Sequence, residues 1–197
     1  MNLYLATQNK HKIQEISALL KGRFSVQSIV DLGQVDDIPE TGSTIAENSF
    51  QKADYIANKF GVTCLSDDSG LEVDALNGEP GVFSARFAGP QKNDQDNMAL
   101  LLQKLRGFEN KAARFVTVLT FHSEGKFYQF EGEIKGTIID QPRGKFGFGY
   151  DPIFVPNGYE KTFAEMSMEE KNAIAHRAMA LEKFVKFIDE QTIFSNQ

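Results

Sequence analysis

Val62-Thr63-Cys64-Leu65-Ser66-Asp67-Asp68-Ser69-Gly70 sets the frame for everything around it, because a short apolar run stops there at two adjacent carboxylates. An apolar run of four residues bounded by polar ones reads as a buried strand rather than a helix. The two acids are therefore expected where a strand leaves a sheet. Open α/β sheets bind ligands beyond the carboxyl ends of their strands, which makes Asp67 and Asp68 a candidate site. Side chains alternate across an extended chain, so one acid is expected to face a ligand and the other to brace the turn. Gly70 suits a sharp bend, and Gly78, Pro80 and Gly81 keep the following residues irregular.

Outward from this run, strands and helical patterns alternate, which predicts an α/β fold. Residues 2–6 read as a strand, and Ile13, Ile16, Leu19 and Leu20 recur at helical spacing until Gly22. Between them, Thr7-Gln8-Asn9-Lys10 opens a helix whose N-terminus favours phosphate, with Lys10, His11 and Lys12 adding positive charge. Residues 25–30 read as a second strand and are followed by an acidic run, residues 31–40. Thr44 and Glu47 have capping-box spacing ahead of the apolar stripe Ile45, Ala53, Ile56, Ala57 and Phe60. Asn48 and Lys52, four apart, are neighbours on the other face of that helix.

Residues 93–106 read as a capped structural helix, and residues 113–122 and 126–135 as a β-hairpin. Next comes Pro142-Arg143-Gly144-Lys145-Phe146-Gly147-Phe148-Gly149-Tyr150-Asp151, where glycines let the backbone approach a flat ring and aromatics offer a face to stack on. Its glycines are too close together for a dinucleotide fingerprint. Ser167 and Glu170 open a helical region reaching about residue 190, with Lys171, His176 and Arg177 expected within two turns of one another.

The 197 residues suffice for one domain with a full core. A net charge of −6 argues against a basic nucleic-acid footprint, so any anion must be gathered by a local cluster of cations. Residues 1–12 contain no long apolar core, so neither a signal peptide nor a membrane anchor is expected and a cytoplasmic location follows. Cys64 alone closes no disulfide, and three scattered histidines give zinc no ligand set. A phosphate loop of the Gly-x-x-x-x-Gly-Lys-[Ser/Thr] kind is missing. What remains is carboxylates at Glu40, Asp67 and Asp68, cations at Lys12, Lys52, Lys171 and Arg177, and stacking aromatics. Carboxylates that share a metal with substrate phosphates suit Mg2+, so the residues by themselves predict a Mg2+-dependent nucleotide or phosphate site.

Six stretches in order, Thr7-Gln8-Asn9-Lys10-His11-Lys12, Glu40-Thr41-Gly42 leading to Glu47-Asn48 and Lys52-Ala53, Asp67-Asp68-Ser69-Gly70-Leu71, Pro80-Gly81-Val82-Phe83-Ser84-Ala85-Arg86, Gly147-Phe148-Gly149-Tyr150-Asp151-Pro152 and His176-Arg177, resemble the inosine/xanthosine triphosphate pyrophosphatase family. The resemblance covers nearly the whole chain. It implies a single domain over residues 1–197 with an elongated mixed sheet flanked by helices, two lobes with a central nucleotide groove, and a homodimer. The implied reaction is Mg2+-dependent hydrolysis of ITP, dITP and XTP to the monophosphate and pyrophosphate. Carried over by motif, Glu40 and Asp68 hold the metal and Asp68 accepts the proton of the attacking water, with Asp67 in reserve. Thr7, Gln8, Asn9, Lys10, His11, Lys12, Lys52, Ser69, Phe148, Gly149, Tyr150, Asp151, Lys171, His176 and Arg177 bind substrate. Neither nucleic acid nor membrane is an expected partner. Three positions depart from the pattern: Gln8 where glycine is common, Ala175 where serine commonly precedes His-Arg, and Phe146 ahead of the glycine-aromatic loop. The competing classes are a pyrophosphatase for modified pyrimidine triphosphates and a nucleotide-binding regulator without turnover.

Overall fold

The computed structural model describes residues 2–33, 38 and 40–195; within the acidic run, Asp36, Asp37 and Pro39 lie outside the described residues. Its sheet has six strands in the order β2-β1-β3-β4-β5-β6. They span Asn2–Leu5, Ser25–Ser28, Cys64–Val73, Ala112–Ser123, Lys126–Ile138 and Phe154–Pro156 for β1 to β6. β1 runs parallel to both β2 and β3, and β5 runs antiparallel to β6, so the sheet is mixed. Parallel neighbours need crossover connections. Helices α1 (Lys10–Leu19) and α2 (Ile45–Phe60) lie in those connections. β4 and β5 form the expected hairpin, turning on Glu124 and Gly125 at φ 51° and 75°, the pair of positive angles that a two-residue turn of matching twist requires.

The chain divides into two compact units. The first comprises Met1–Asp68, Thr117–Gly132 and His176–Gln197, and the second Ser69–Val116 and Glu133–Ala175. β3, β4 and β5 contribute residues to both. In the first unit, Leu3, Leu5 and Leu65 of the sheet bury against Ile16 and Leu20 and against Ala180, Leu181 and Phe184 of α5 (His176–Ser195). The other side of that unit packs Ala53, Ile56 and Ala57 of α2 on Ala6, Ile29 and Cys64. α2 starts where the sequence predicts, with Thr44 and Glu47 capping each other's backbone, and stops at Gly61 in the left-handed conformation. Gly132 of β5 lies so close to the first turn of α5 that an added Cβ would stand 2.1 Å from the His176 carbonyl oxygen, so only glycine lets these elements meet.

The second unit has its own core. Leu71, Val73, Leu101, Leu105, Ile153 and Met166 surround Phe115, whose ring meets Phe154 at 4.7 Å and Phe163 at 6.0 Å. α3 (Asp94–Lys104) covers part of it, begun by Asn93, whose side chain accepts from the Asp96 N–H.

Candidate active site

Two expectations about β3 and the last helical region are corrected. β3 does not stop at the carboxylates; it continues to Val73 and passes through Asp67, Asp68 and Gly70. The strand persists because cations from distant elements meet both acids, leaving no buried charge that would force the chain out of the sheet. The helical region is broken as well. α4 (Met168–Asn172) ends before α5 begins at His176, and the break puts Lys171 in the second unit and His176 and Arg177 in the first. They do not share one helix.

Asp67 is the braced acid. Its Oδ2 accepts from Arg177 Nε at 2.7 Å, its Oδ1 pairs with Lys12 Nζ, and Lys12 also donates to the Asp67 carbonyl oxygen at 3.3 Å. Arg177 NH1 in turn pairs with Glu15. Lys12 and Glu15 are three apart on α1, so one helix face supplies the cation for Asp67 and the anion for Arg177. The chain Lys12–Asp67–Arg177–Glu15 balances two positive against two negative charges, which is what makes its burial tolerable. Burial alone would raise the Asp67 pKa, but Arg177 and Lys12 outweigh it and hold the carboxyl well below the ordinary range. The Arg177 guanidinium is buried too, yet Asp67 and Glu15 move it upward.

Asp68 is placed differently. Its Oδ1 accepts from Lys52 Nζ at 2.6 Å, and the same ammonium donates to Glu40 Oε1 at 2.8 Å. Two carboxylates share one cation here. Burial pushes the Asp68 pKa up, Glu40 adds to it, and Lys52 and Lys12 oppose it without reversing the direction. For Lys52, burial works downward but Asp68 and Glu40 prevail and the pKa is raised. Lys12 is lowered, chiefly by burial and then by the charges of Lys52 and Arg177, against Asp67 and Asp68. Adjacent residues on one strand therefore carry opposite tendencies, one acid locked ionised and the other biased toward taking a proton.

Residues 40–44 lie along the start of α2, fastened side chain by side chain. Lys52 holds Glu40, Gln51 Oε1 accepts from the Thr41 N–H at 3.0 Å, Asn48 Oδ1 from the Gly42 N–H at 2.8 Å, and Glu47 Oε2 from Ser43 and Thr44. Asn48 is fully buried, and its Nδ2 has no acceptor among the described residues. A donor left that way costs about 1–3 kcal/mol.

Glu40 and Asp68 offer hard oxygens that already converge on one ammonium, a donor set suited to a hard divalent cation. Among the described residues no three His, Cys, Asp or Glu side chains converge, so such an ion would take two protein carboxylates and draw its other ligands from water or substrate. At the start of α1, Asn9 caps the helix, its Oδ1 accepting from His11 N at 3.0 Å and Lys12 N at 3.2 Å, while Thr7 Oγ1 accepts from Asn9 N at 3.2 Å. No acid occupies the first turn, and Gln8, Lys10 and His11 are exposed there.

In the second unit, the glycine-aromatic loop is held by its own frame. Lys145 N and Phe146 N both donate to the Ala164 carbonyl, and Phe148 N donates to Asp151 Oδ2 at 2.9 Å. Lys171 Nζ donates to the same oxygen at 2.7 Å and stands 5.0 Å from the Phe148 ring centre. Gly149 N donates to Asp94 Oδ2 at 2.7 Å, and the Tyr150 hydroxyl to the Ser84 carbonyl at 2.9 Å. Gly147 has φ 75°, and an added Cβ would come within 2.1 Å of Asp151 Oδ2. Asp151, Tyr150 and Lys171 are buried, whereas Phe148 and Ser69 are half-buried.

Sequence reasoning passed over Glu15 and Asp94. Glu15 had a usable signal, its spacing from Lys12. Asp94 had none, since it meets Gly149 across 55 positions of chain.

The Ham1 family model matches residues 3–187. A dITP/XTP pyrophosphatase of Flavobacterium johnsoniae is 49% identical over 188 residues, 95% of this chain and 98% of the relative. One of Bacillus subtilis is 42% identical, over 94% and 96% of the two chains. Among solved structures, the Staphylococcus aureus Ham1 protein superposes with a TM-score of 0.89 at 38% identity, over 97% of this chain and 100% of that one. A HAM1 protein from Coxiella burnetii also gives a TM-score of 0.89 at 38% identity, over 96% and 99%.

Proposed function

The chain belongs to the Ham1 family, and from that premise we propose that it is a nucleoside triphosphate pyrophosphatase, hydrolysing ITP, dITP and XTP to the monophosphate and pyrophosphate. The observation that carries the residue assignment is the unequal footing of Asp67 and Asp68.

Asp68 is the general base: it accepts the proton of the water that attacks the α-phosphorus, its carboxylate held by the one ammonium of Lys52 that it shares with Glu40. Asp67, committed to Lys12 and Arg177, holds β3 and those cations in register. Mg2+ held by Glu40 and Asp68 would neutralise and orient the triphosphate. Negative charge grows on the departing pyrophosphate, and Lys12 and Lys52, close enough to influence each other's ionisation, stabilise it. Thr7, Gln8, Asn9, Lys10, His11 and Ser69 bind the phosphate end of the substrate. The purine stacks on Phe148, whose loop Gly149, Tyr150, Asp151 and Lys171 keep in shape, and His176 and Arg177 complete the substrate-binding set.

Hypoxanthine and xanthine carry a 6-oxo acceptor where adenine carries an amino donor. Donors aimed at that oxygen are left unpaired by adenine, and a site that hydrogen-bonds a group rejects an analogue lacking it by roughly 10⁴–10⁵. A cytoplasmic homodimer completes the proposal, and sedimentation of the purified protein tests the dimer. Pyrophosphate release from ITP, with and without Mg2+ and beside ATP, tests the reaction. Equal rates on ITP and ATP, or no release from ITP, overturn it.

A further inference from the structure

We infer that Asn48 is a positioning residue for the metal-binding carboxylate Glu40, acting through the backbone of Gly42; the inference rests on the pyrophosphatase reading above. Asn48 Oδ1 accepts from the Gly42 N–H at 2.8 Å, which fixes the orientation of its amide and leaves Nδ2 buried without an acceptor among the described residues. With only its oxygen engaged among the described residues, this buried side chain is poorly suited to stabilising the fold. That oxygen fastens a loop two residues from Glu40.

Gly42 shows how closely the loop is fitted there. An added Cβ would stand 2.6 Å from Glu47 Cβ and 2.9 Å from Asn48 Oδ1, so the backbone can come this near α2 only without a side chain. One turn along the same helix face, Lys52 Nζ reaches the Glu40 carboxylate itself at 2.8 Å. The two fastenings differ in kind. The ammonium of Lys52 is needed by the growing charge of the phosphates, and when it turns to them its hold on Glu40 weakens. The Asn48 amide is neutral and serves no phosphate, so its hold on the loop is the same whichever anion Lys52 faces. Glu40 and Asp68 thereby stay within reach of one divalent cation while the lysine is engaged elsewhere.

The test uses Asn48→Leu, which keeps the buried volume but loses the acceptor, and Gly42→Ala, which pushes the loop off the amide from the other side. Mn2+ binding is read from the EPR signal of the free ion, with an α,β-methylene analogue of ITP present. Pyrophosphate release is measured against Mg2+ concentration. Groups that orient metal ligands are worth about 10–100-fold in metal affinity, so both variants are expected to bind Mn2+ at least about tenfold more weakly. They should also require correspondingly more Mg2+, while kcat at saturating Mg2+ returns close to that of the unaltered chain. Mn2+ affinity unchanged in the leucine variant overturns the inference, as does a loss of turnover that Mg2+ does not restore. Should the unaltered chain bind Mn2+ but release no pyrophosphate, the pyrophosphatase reading fails, and the role of Asn48 in turnover falls with it. Should it bind no Mn2+, the positioning role is overturned directly.

Discussion

The two units carry different kinds of chemistry. In the first, Lys12, Glu15, Glu40, Lys52, Asp67, Asp68 and Arg177 form two largely buried ion-pair groups around Asp67 and Asp68 of β3. In the second, a buried pair, Lys171 with Asp151, supports a loop otherwise held by backbone donors and by the Tyr150 hydroxyl. In the proposed reading, charge is concentrated where the phosphates react, and the loop that stacks the base is framed mainly by hydrogen bonds. The contrast predicts that substitutions at Asp68 and Asp67 act on turnover and stability, and one at Phe148 on affinity.

The sharpest break would come from Asp68. Asp68→Asn should lower kcat by on the order of 10²–10⁴, the usual worth of a positioned general base, with the fold intact by circular dichroism. Near-normal turnover would remove Asp68 from the reaction. Asp67→Asn should act on stability instead, because it leaves Arg177 and Lys12 buried against a neutral group. A cost of about 3–5 kcal/mol is expected in urea unfolding at neutral pH. The sign with pH follows from the lowered pKa: the contribution is complete above the unfolded aspartate value of about 3.9 and disappears as pH falls from there toward the folded value.

In the second unit, Phe148→Ala should weaken substrate binding by about 1–3 kcal/mol, the usual worth of one stacked base, and raise KM more than it lowers kcat. A fall in kcat alone would erase the distinction between the units. The smallest effect is a displaced titration. In the chain without metal, burial raises Asp68, so its carboxyl should titrate above the ordinary aspartate value of about 3.9, read from the carboxyl-carbon NMR shift. A midpoint at or below that value would contradict the placement of Asp68.

Much of this was legible in the residues. The capping pair Thr44 and Glu47, the stripe of α2, the hairpin at Glu124 and Gly125 and the alternating order of strands and helices rest on local rules that hold before any tertiary contact forms. Asp67 and Asp68 stood out as adjacent acids after an apolar run. The end of β3 was misplaced because nothing near Asp67 in sequence reveals the cations that let a strand continue through it.

By itself, the sequence determined the element types, the inventory of acids, cations and aromatics, and the expectation that two neighbouring carboxylates would take separate work. Only the tertiary structure decided which does which. Asp67 meets Lys12 and Arg177 across 55 and 110 positions of chain, while Asp68 shares Lys52 with Glu40. A carboxylate's tendency to hold or release a proton depends on the charges around it and on its separation from water, and neither is a property of its neighbours in the chain.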